Sequence, residues 1–459
     1  MSQPARQLFG TDGIRGVAGE FPLTPTSTYA IGRALGHDLV RTHPKARVVI
    51  GQDTRESSGW IADRVSLGLA SAGVAVESAG IITTPGVAYL ARSCGLAAGV
   101  VISASHNPWT DNGIKVFSGD GYKLPDAREL AIEQEIFTLL QNPLPEEEPE
   151  SEAMPRSLPG DASLRESYIQ WLAGDVSADL SRFRVLMDCA NGAATAEAPE
   201  LFRACAVRAT FIHAAPDGTN INENCGALHP EVVARTVAER EGQFDLGVTF
   251  DGDADRAMFC DAHGNVVNGD AVLLLAARDM QRRGKLIGNL IVATTMSNMG
   301  LEVTLRRSGI QMMRANVGDK YVLEGMLKSG ATLGGEQSGH ILFRDGDATT
   351  GDGLLTALRV MEIMARTGRS LAELVRDLKV FPQTIQNVRV REKVPFQQVP
   401  AIQQEIAGAE RELDGNGRVV VRYSGTEALA RVMVEAESED RMKMLATRIA
   451  DAIRSHLGS

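Results

Sequence analysis

Apolar positions along the chain recur at two periods, and each change of period marks the boundary of an element. Ile31, Leu35 and Leu39 repeat every four residues behind Thr24-Pro25, so the spacing predicts a helix over 25–41 with a hydroxyl cap and a proline in its first turn. Apolar runs predict strands over 47–51 and 74–77, either side of a helical stretch over 58–72. The run at 100–103 is short and continuous, as a buried strand would be, and 114–117 reads as a second short strand before a helix over 127–140. This is βαβ rhythm, and it implies a parallel or mixed sheet. The rhythm returns with a helix over 164–173 and strands over 184–188, 207–212 and 246–250. It returns once more with strands over 290–293 and 311–315 and a helix over 318–328. From about residue 380 the order changes: strands over 384–390 and 418–422 and helices over 396–412 and 439–456 describe a smaller α+β unit.

Residues 141–160 hold five prolines and a glutamate run, which is linker composition. The expected fold is therefore three consecutive mixed-sheet α/β domains followed by a smaller α+β domain, divided as 1–155, 156–255, 256–375 and 376–459. A chain of 459 residues is too long for a single hydrophobic core, which agrees with that division. With 44% hydrophobic and 23% charged residues it has ordinary globular composition. No apolar run reaches the roughly 18 residues that would span a bilayer, and the first ten residues lack the apolar centre of a signal peptide, so a cytoplasmic location is expected. The five cysteines are scattered without CxxC spacing, which suggests neither a disulfide framework nor a zinc site. A net charge of −11 argues against a nucleic-acid partner but leaves an anionic substrate open, because a few clustered cations can dominate a cleft.

Five stretches carry candidate chemistry. In 100–124, His106-Asn107-Pro108 stops the strand and lifts Ser105 out at its carboxyl end, where open α/β sheets place ligands; Asp111-Asn112-Gly113 then reads as a turn leading to Lys115. On spacing alone this could equally be a polar turn between two strands. Residues 9–16 form a glycine-rich loop around Arg15, and alone read as a structural turn. Asp251, Asp253 and Asp255 alternate through a turn with Gly252, and such carboxylates converge only around a cation; a solvated acidic turn is the alternative. An EF-hand fails, since its glycine and glutamate positions are Arg256 and Ala262. Glu336 to His340 offer groups suited to vicinal hydroxyls, or a polar turn. Finally, Arg422, Ser424, Gly425, Thr426 and Arg431 combine guanidiniums, hydroxyls and free backbone N–H groups, as a phosphate cradle would.

SASHNP followed by DNGIK resembles the active-serine loop of the α-D-phosphohexomutases, and FGTDGIRG, DGDADR, GEQSGH and RYSGTEALAR extend the resemblance in order over essentially the whole chain. FGTDGIRG is similar to the signature of the branch that acts on glucosamine phosphates. The resemblance implies four domains around a central cleft and transfer of a phosphoryl group between the 1- and 6-positions of a hexose through a 1,6-bisphosphate. It implies that Ser105 is the phosphorylated residue, Ser103 being the lesser candidate, and that Ser105, Asp251, Asp253 and Asp255 hold one Mg2+. It puts Arg15 in the active site, Glu336, Ser338 and His340 in the sugar-reading loop, and Asp319 and Lys320 in a neighbouring segment. The 422–431 loop would hold the phosphate that is not transferred. There the family text is close to SGTEPLIR, and this chain has Ala428 and Ala430 in place of the proline and a bulky aliphatic residue.

Charge then suggests roles. Lys115, Arg15 and Arg256 are the cations available to stabilise the transferring phosphoryl group, and Lys115 is the candidate general acid/base, its pKa expected to fall beside other cations. His106 is the second candidate. The rival substrates are glucose and mannose phosphates, as in a phosphomannomutase/phosphoglucomutase, and the rival class is a non-catalytic sugar-phosphate-binding protein. The expected partners are small sugar phosphates, with no membrane and no nucleic acid. The sequence leaves the oligomeric state open, a homodimer included.

Overall fold

A computed structural model describes residues 7–141, 159–346, 348–424 and 428–458 and falls into two compact units. One comprises residues 1–295 and 314–374, the other 296–313 and 375–459. The linker expected over 141–160 lies almost wholly outside the described residues.

The first sheet runs in the order β1-β2-β6-β5-β3-β4. Its elements are β1 (Phe9–Gly10), β2 (Gly13–Val17), α1 (Pro25–Thr42), β3 (Arg47–Gln52), α2 (Ser58–Ser71), β4 (Ala75–Ile81), α3 (Thr84–Ser93), β5 (Ala98–Ile102), β6 (Asp111–Ser118) and α4 (Asp126–Gln141). Thr24 caps α1 through a reciprocal bond with Ser27, with Pro25 in the first turn, as its sequence foretold. β3 lies parallel to both β4 and β5, and β5 is buried along its whole length. Two expectations are corrected. Asp111-Asn112-Gly113 is not a turn but the first part of β6, paired with β2, because the Asn112 amide finds partners in Ser57 Oγ at 2.8 Å and Ser58 Oγ at 3.0 Å and Gly113 lies directly across from Arg15. Arg15 correspondingly stands on strand β2 of a tight hairpin rather than in an open loop.

The second sheet, ordered β11-β10-β9-β7-β8, is built from α5 (Ala162–Gly174), β7 (Arg184–Asp188), α6 (Ala194–Ala204), β8 (Arg208–Ile212), α7 (Pro230–Glu239), β9 (Leu246–Phe250), β10 (Ala257–Asp261) and β11 (Val266–Val267). β7 is parallel to β8 and β9, while β10 returns antiparallel to β9. The aspartate loop 251–256 is thus the turn of a hairpin inside this sheet, and the expected boundary at 255/256 is corrected: it would cut β9 from β10. Composition does not mark this joint because both strands are short, mostly apolar and buried along their whole length.

The third sheet, ordered β13-β12-β14-β15, follows with α8 (Gly269–Arg282), β12 (Leu290–Thr294), α9 (Met299–Arg307), β13 (Gln311–Ala315), α10 (Asp319–Ser329), β14 (Leu333–Gly335), β15 (Ile341–Phe343), α11 (Gly353–Thr367) and α12 (Leu371–Val375). α9 belongs to the second unit, where Met299 and Val303 pack on Phe381, a long-range contact that no local pattern announces. That unit carries an antiparallel sheet ordered β16-β18-β17, formed by β16 (Gln383–Arg389), β17 (Gly417–Tyr423) and β18 (Leu429–Ala436). Its core is closed by α13 (Pro400–Leu413) and α14 (Glu439–Leu457). Among the described residues no helix is long and apolar enough to cross a membrane.

Candidate active site

Ser105 follows β5 in a left-handed backbone conformation, φ 53°, which is rare for a residue with a side chain and costs about 1–3 kcal/mol. Three groups hold it there. Ser103 Oγ accepts the Ser105 N–H at 2.9 Å, and the Ser105 carbonyl accepts Arg55 Nη2 at 2.8 Å and Asn222 Nδ2 at 2.9 Å. The result aims the serine hydroxyl at the aspartate loop: Ser105 Oγ donates to Asp251 Oδ2 at 2.6 Å, with His106 Nδ1 at 3.4 Å. Gly252 permits this approach, since a Cβ there would stand 2.6 Å from the Ser105 carbonyl oxygen.

Asp251, Asp253 and Asp255 each offer an oxygen within 4.8 Å of the others, and all three are buried. Oδ1 of Asp253 and of Asp255 are shielded from solvent without a hydrogen-bond partner. Buried carboxylates with free oxygens facing one another are unstable unless a cation or a proton joins them. Burial, together with Asp255 and Asp253, pushes the Asp251 carboxyl well above its ordinary value. Burial also opposes charge on Asp255, but His340, Lys115 and Arg256 outweigh it and hold this group ionised. An oxygen-only set of this kind fits Mg2+.

Lys115 on β6 reaches into this loop, 2.7 Å from Asp253 Oδ2, 3.0 Å from Asp12 Oδ2 and 3.8 Å from Asp255 Oδ2. Arg15 shares its sheet face, and Gly113 between them leaves room that a Cβ would take, at 3.1 Å from Arg15 Cγ and 2.7 Å from the Ser103 carbonyl. The expected lowering of the Lys115 pKa is overturned. Burial pulls it down, but Asp12, Asp253 and Asp255 outweigh burial and raise it. Weighing only the neighbouring cations missed Asp12, which pairs with Arg15, Lys115 and Lys123. His106 moves the other way: burial, then Arg256 and Arg15, lower it to about 4, so its imidazole is neutral at pH 7. Arg256 Nε stands 4.0 Å from Asp251 and 3.8 Å from Asp255.

The loop 335–340 divides. Ser338 is exposed, and Glu336 Oε1 accepts the Gly318 N–H at 3.1 Å. His340 lies buried, its Nδ1 3.6 Å from Asp255 and its Nε2 3.9 Å from Asp319, so it backs the aspartate loop rather than facing solvent. Burial lowers its pKa, but Asp255 leads the groups that carry it up to about 9. Asp319 joins through Lys123 at 2.5 Å, whereas Lys320 turns away to Asp126 and Glu129. In the second unit Arg422 is exposed on β17, directly across from Arg431 on β18. Ser424 is buried, and its carbonyl accepts Lys393 Nζ at 2.7 Å. Gly425 and Thr426 lie outside the described residues.

Residues 6–143, 166–264 and 268–381 match the phosphoglucomutase/phosphomannomutase alpha/beta/alpha domains I, II and III, and residues 386–452 match the C-terminal domain of the same family. Phosphoglucosamine mutase of Koribacter versatilis is 63% identical over all of this chain and 99% of its own length. The chain belongs to the phosphoglucomutase/phosphomannomutase family. Among further relatives, the phosphoglucosamine mutases of Solibacter usitatus and Deinococcus radiodurans are 52% and 46% identical, covering 99% and 98% of this chain and 100% and 98% of their own. A family protein of Burkholderia thailandensis superposes with a TM-score of 0.77 at 24% identity, over 98% of this chain and 97% of its own. Aspergillus fumigatus N-acetylphosphoglucosamine mutase, solved with GlcNAc-6P and magnesium, gives 0.60 at 18% identity over 99% and 97%.

Sequence reasoning passed over Arg55, Lys123, Asn222 and Asp12. Asp12 lay within a motif already read. Arg55 follows the end of β3, the same kind of strand end that flagged Ser105, and could have been found there. Lys123 and Asn222 have no local signal, because their partners lie about a hundred residues away along the chain.

Proposed function

We propose that this enzyme interconverts glucosamine 6-phosphate and glucosamine 1-phosphate through phosphorylated Ser105 and a glucosamine 1,6-bisphosphate intermediate. The observation that carries this reading is the aim of the Ser105 hydroxyl at a buried aspartate triad, in a chain aligned end to end with phosphoglucosamine mutases. Phospho-Ser105 gives its phosphoryl group to the C1 oxygen of the substrate, whose proton leaves as the bond forms. The bisphosphate turns end for end and returns its C6 phosphate to Ser105, which leaves glucosamine 1-phosphate.

Asp251, Asp253, Asp255 and an oxygen of phospho-Ser105 would hold Mg2+, which supplies Lewis-acid neutralisation of phosphate charge when bound. The neutral imidazole of His106 accepts the proton of the attacking hydroxyl. Lys115, kept protonated, acts with Arg15 and Arg256 as fixed positive charge for the transferring phosphoryl rather than as a proton shuttle. Glu336 and Ser338 meet the sugar, while His340 orients Asp255 and Lys320 braces the start of α4. Arg422, Ser424, Gly425, Thr426 and Arg431 take the phosphate at rest. We assign the enzyme to the cytoplasm.

Glucosamine is distinguished by a largely cationic amine at C2. Glu336 offers a full negative charge to that amine where Gln337 offers only a neutral amide oxygen, so the Glu336 carboxylate is the better partner. A charge-assisted hydrogen bond of about 1.5–3 kcal/mol corresponds to about a 10- to 150-fold preference in kcat/KM. Comparing glucosamine, glucose and mannose 6-phosphates under one assay condition tests this. A preference for glucose or mannose phosphate would make the enzyme a phosphomannomutase/phosphoglucomutase, and absence of turnover on all three would leave a binding protein.

A further inference from the structure

A second convergence of ligand atoms lies within the first unit, apart from the aspartate triad. Asp188 ends β7, His213 follows β8, and Cys225 sits in the segment between β8 and α7. One carboxylate oxygen, one imidazole nitrogen and the thiol sulfur lie within 4.8 Å of one another. Asp188 and Cys225 are buried, whereas the His213 side chain is 33% exposed and gives a path from solvent. His213 Nδ1 is shielded from water and stands 3.1 Å from Asp188 Oδ2, which raises the imidazole pKa. Asp188 is otherwise anchored: Oδ1 accepts the Ala190 N–H at 2.8 Å and Oδ2 the Gly226 N–H at 3.1 Å. Three unlike donors drawn from three separate segments, the carboxylate fixed by backbone hydrogen bonds, thus share one small volume.

We propose that Asp188, His213 and Cys225 form a binding site for a zinc-class divalent cation. Nitrogen, thiolate and a single carboxylate make a softer donor set than the oxygen-only triad, so it discriminates in favour of Zn2+ or Co2+ where the triad favours Mg2+. Binding converts the thiol to a thiolate, whose proton leaves to solvent together with the one on the ligating nitrogen of any His213 that Asp188 keeps protonated. Three protein ligands leave a fourth coordination position for water. The site is also tied to the catalytic serine. Asn222, three residues before Cys225, donates to the Ser105 carbonyl, and the segment after Asp188 continues to Ala193, whose N–H donates to the Gly252 carbonyl at 2.8 Å. A cation here braces the segments that support both Ser105 and the aspartate loop.

The test uses the full-length protein, freed of metal by a chelator and titrated with Co2+ in excess Mg2+. A thiolate-to-cobalt charge-transfer band in the near ultraviolet should grow to one equivalent and be erased by Zn2+; oxygen-only ligation at the triad gives no such band. Cys225→Ser should remove it, and His213→Ala should weaken Co2+ binding by about tenfold or more. Cys94→Ser and Asp253→Asn should retain it. No band in the wild-type protein, or a band surviving in Cys225→Ser, would overturn the proposal. Should Cys225→Ser fail to fold, unchanged Co2+ affinity in His213→Ala, whose side chain is partly exposed, would overturn it equally.

Discussion

Arg55 spends all five of its guanidinium N–H groups on five acceptors. Nε donates to Asp53 Oδ2 at 2.8 Å, Nη1 to the Pro108 carbonyl and to that of Asp111 at 3.1 Å, and Nη2 to those of Ser105 at 2.8 Å and Asn107 at 2.9 Å. The ion pair with Asp53 is fully buried on both sides. Arg55→Lys keeps the charge, but an ammonium has three donors on one atom, so at least two of these five bonds are lost. The carbonyls of Ser105 and Asn107 keep Asn222 Nδ2 and that of Pro108 keeps the Asp111 N–H, so the loss is about 0.5–1.5 kcal/mol per bond, about 1–3 kcal/mol in all. The same change frees the Ser105 backbone, whose left-handed conformation is held against its own preference. Since a displacement of about 1 Å at a reacting group can cost about a hundredfold, kcat should fall by about that factor while KM changes little, because Arg55 bonds to the serine loop and not to a phosphate site. Urea denaturation followed by circular dichroism measures the first quantity, and initial rates on glucosamine 6-phosphate the second. Stability within about 0.5 kcal/mol of wild type together with an unaltered kcat would refute the clamp.

Ser105→Ala should abolish turnover and the protein species heavier by one phosphate, whereas Ser103→Ala, which loses only the bond to the Ser105 N–H, should retain both at about 1 kcal/mol in stability; intact-mass analysis and rate assays read both. Chelation should stop turnover reversibly, and Asp253→Asn should weaken Mg2+ binding by well over about tenfold in a titration, since it removes charge as well as a ligand. Burial raises the Glu197 carboxyl from an ordinary 4.5 to about 8, so the folded protein binds the extra proton between these values and its stability falls as pH rises through that window. Glu197→Gln should flatten the slope in pH-dependent denaturation; an unchanged slope would place the titration elsewhere.

Local pattern determined the alternation of elements, because a strand buried on both faces or a capped amphipathic helix leaves its signature in adjacent residues. α1 with Thr24 and Pro25, the strands 184–188 and 246–250, and the close of the chain in an α+β unit were all legible on that ground. The place of Ser105 after a buried strand and the alternation of the three aspartates were legible too, but the role of the serine rested on resemblance to the α-D-phosphohexomutases, and its contact with Asp251, 146 residues away along the chain, was not legible. Tertiary structure decided what depends on partners distant along the chain. Asn112 extends β6 because Ser57 and Ser58 lie across from it, and β9 continues into β10 although the acidic turn looks like a boundary. The protonation of Lys115 was decided in the same way. The sequence shows cations near it, but the fold brings Asp12, Asp253 and Asp255 to within 4 Å, and electrostatic energy depends on distance through space rather than along the chain.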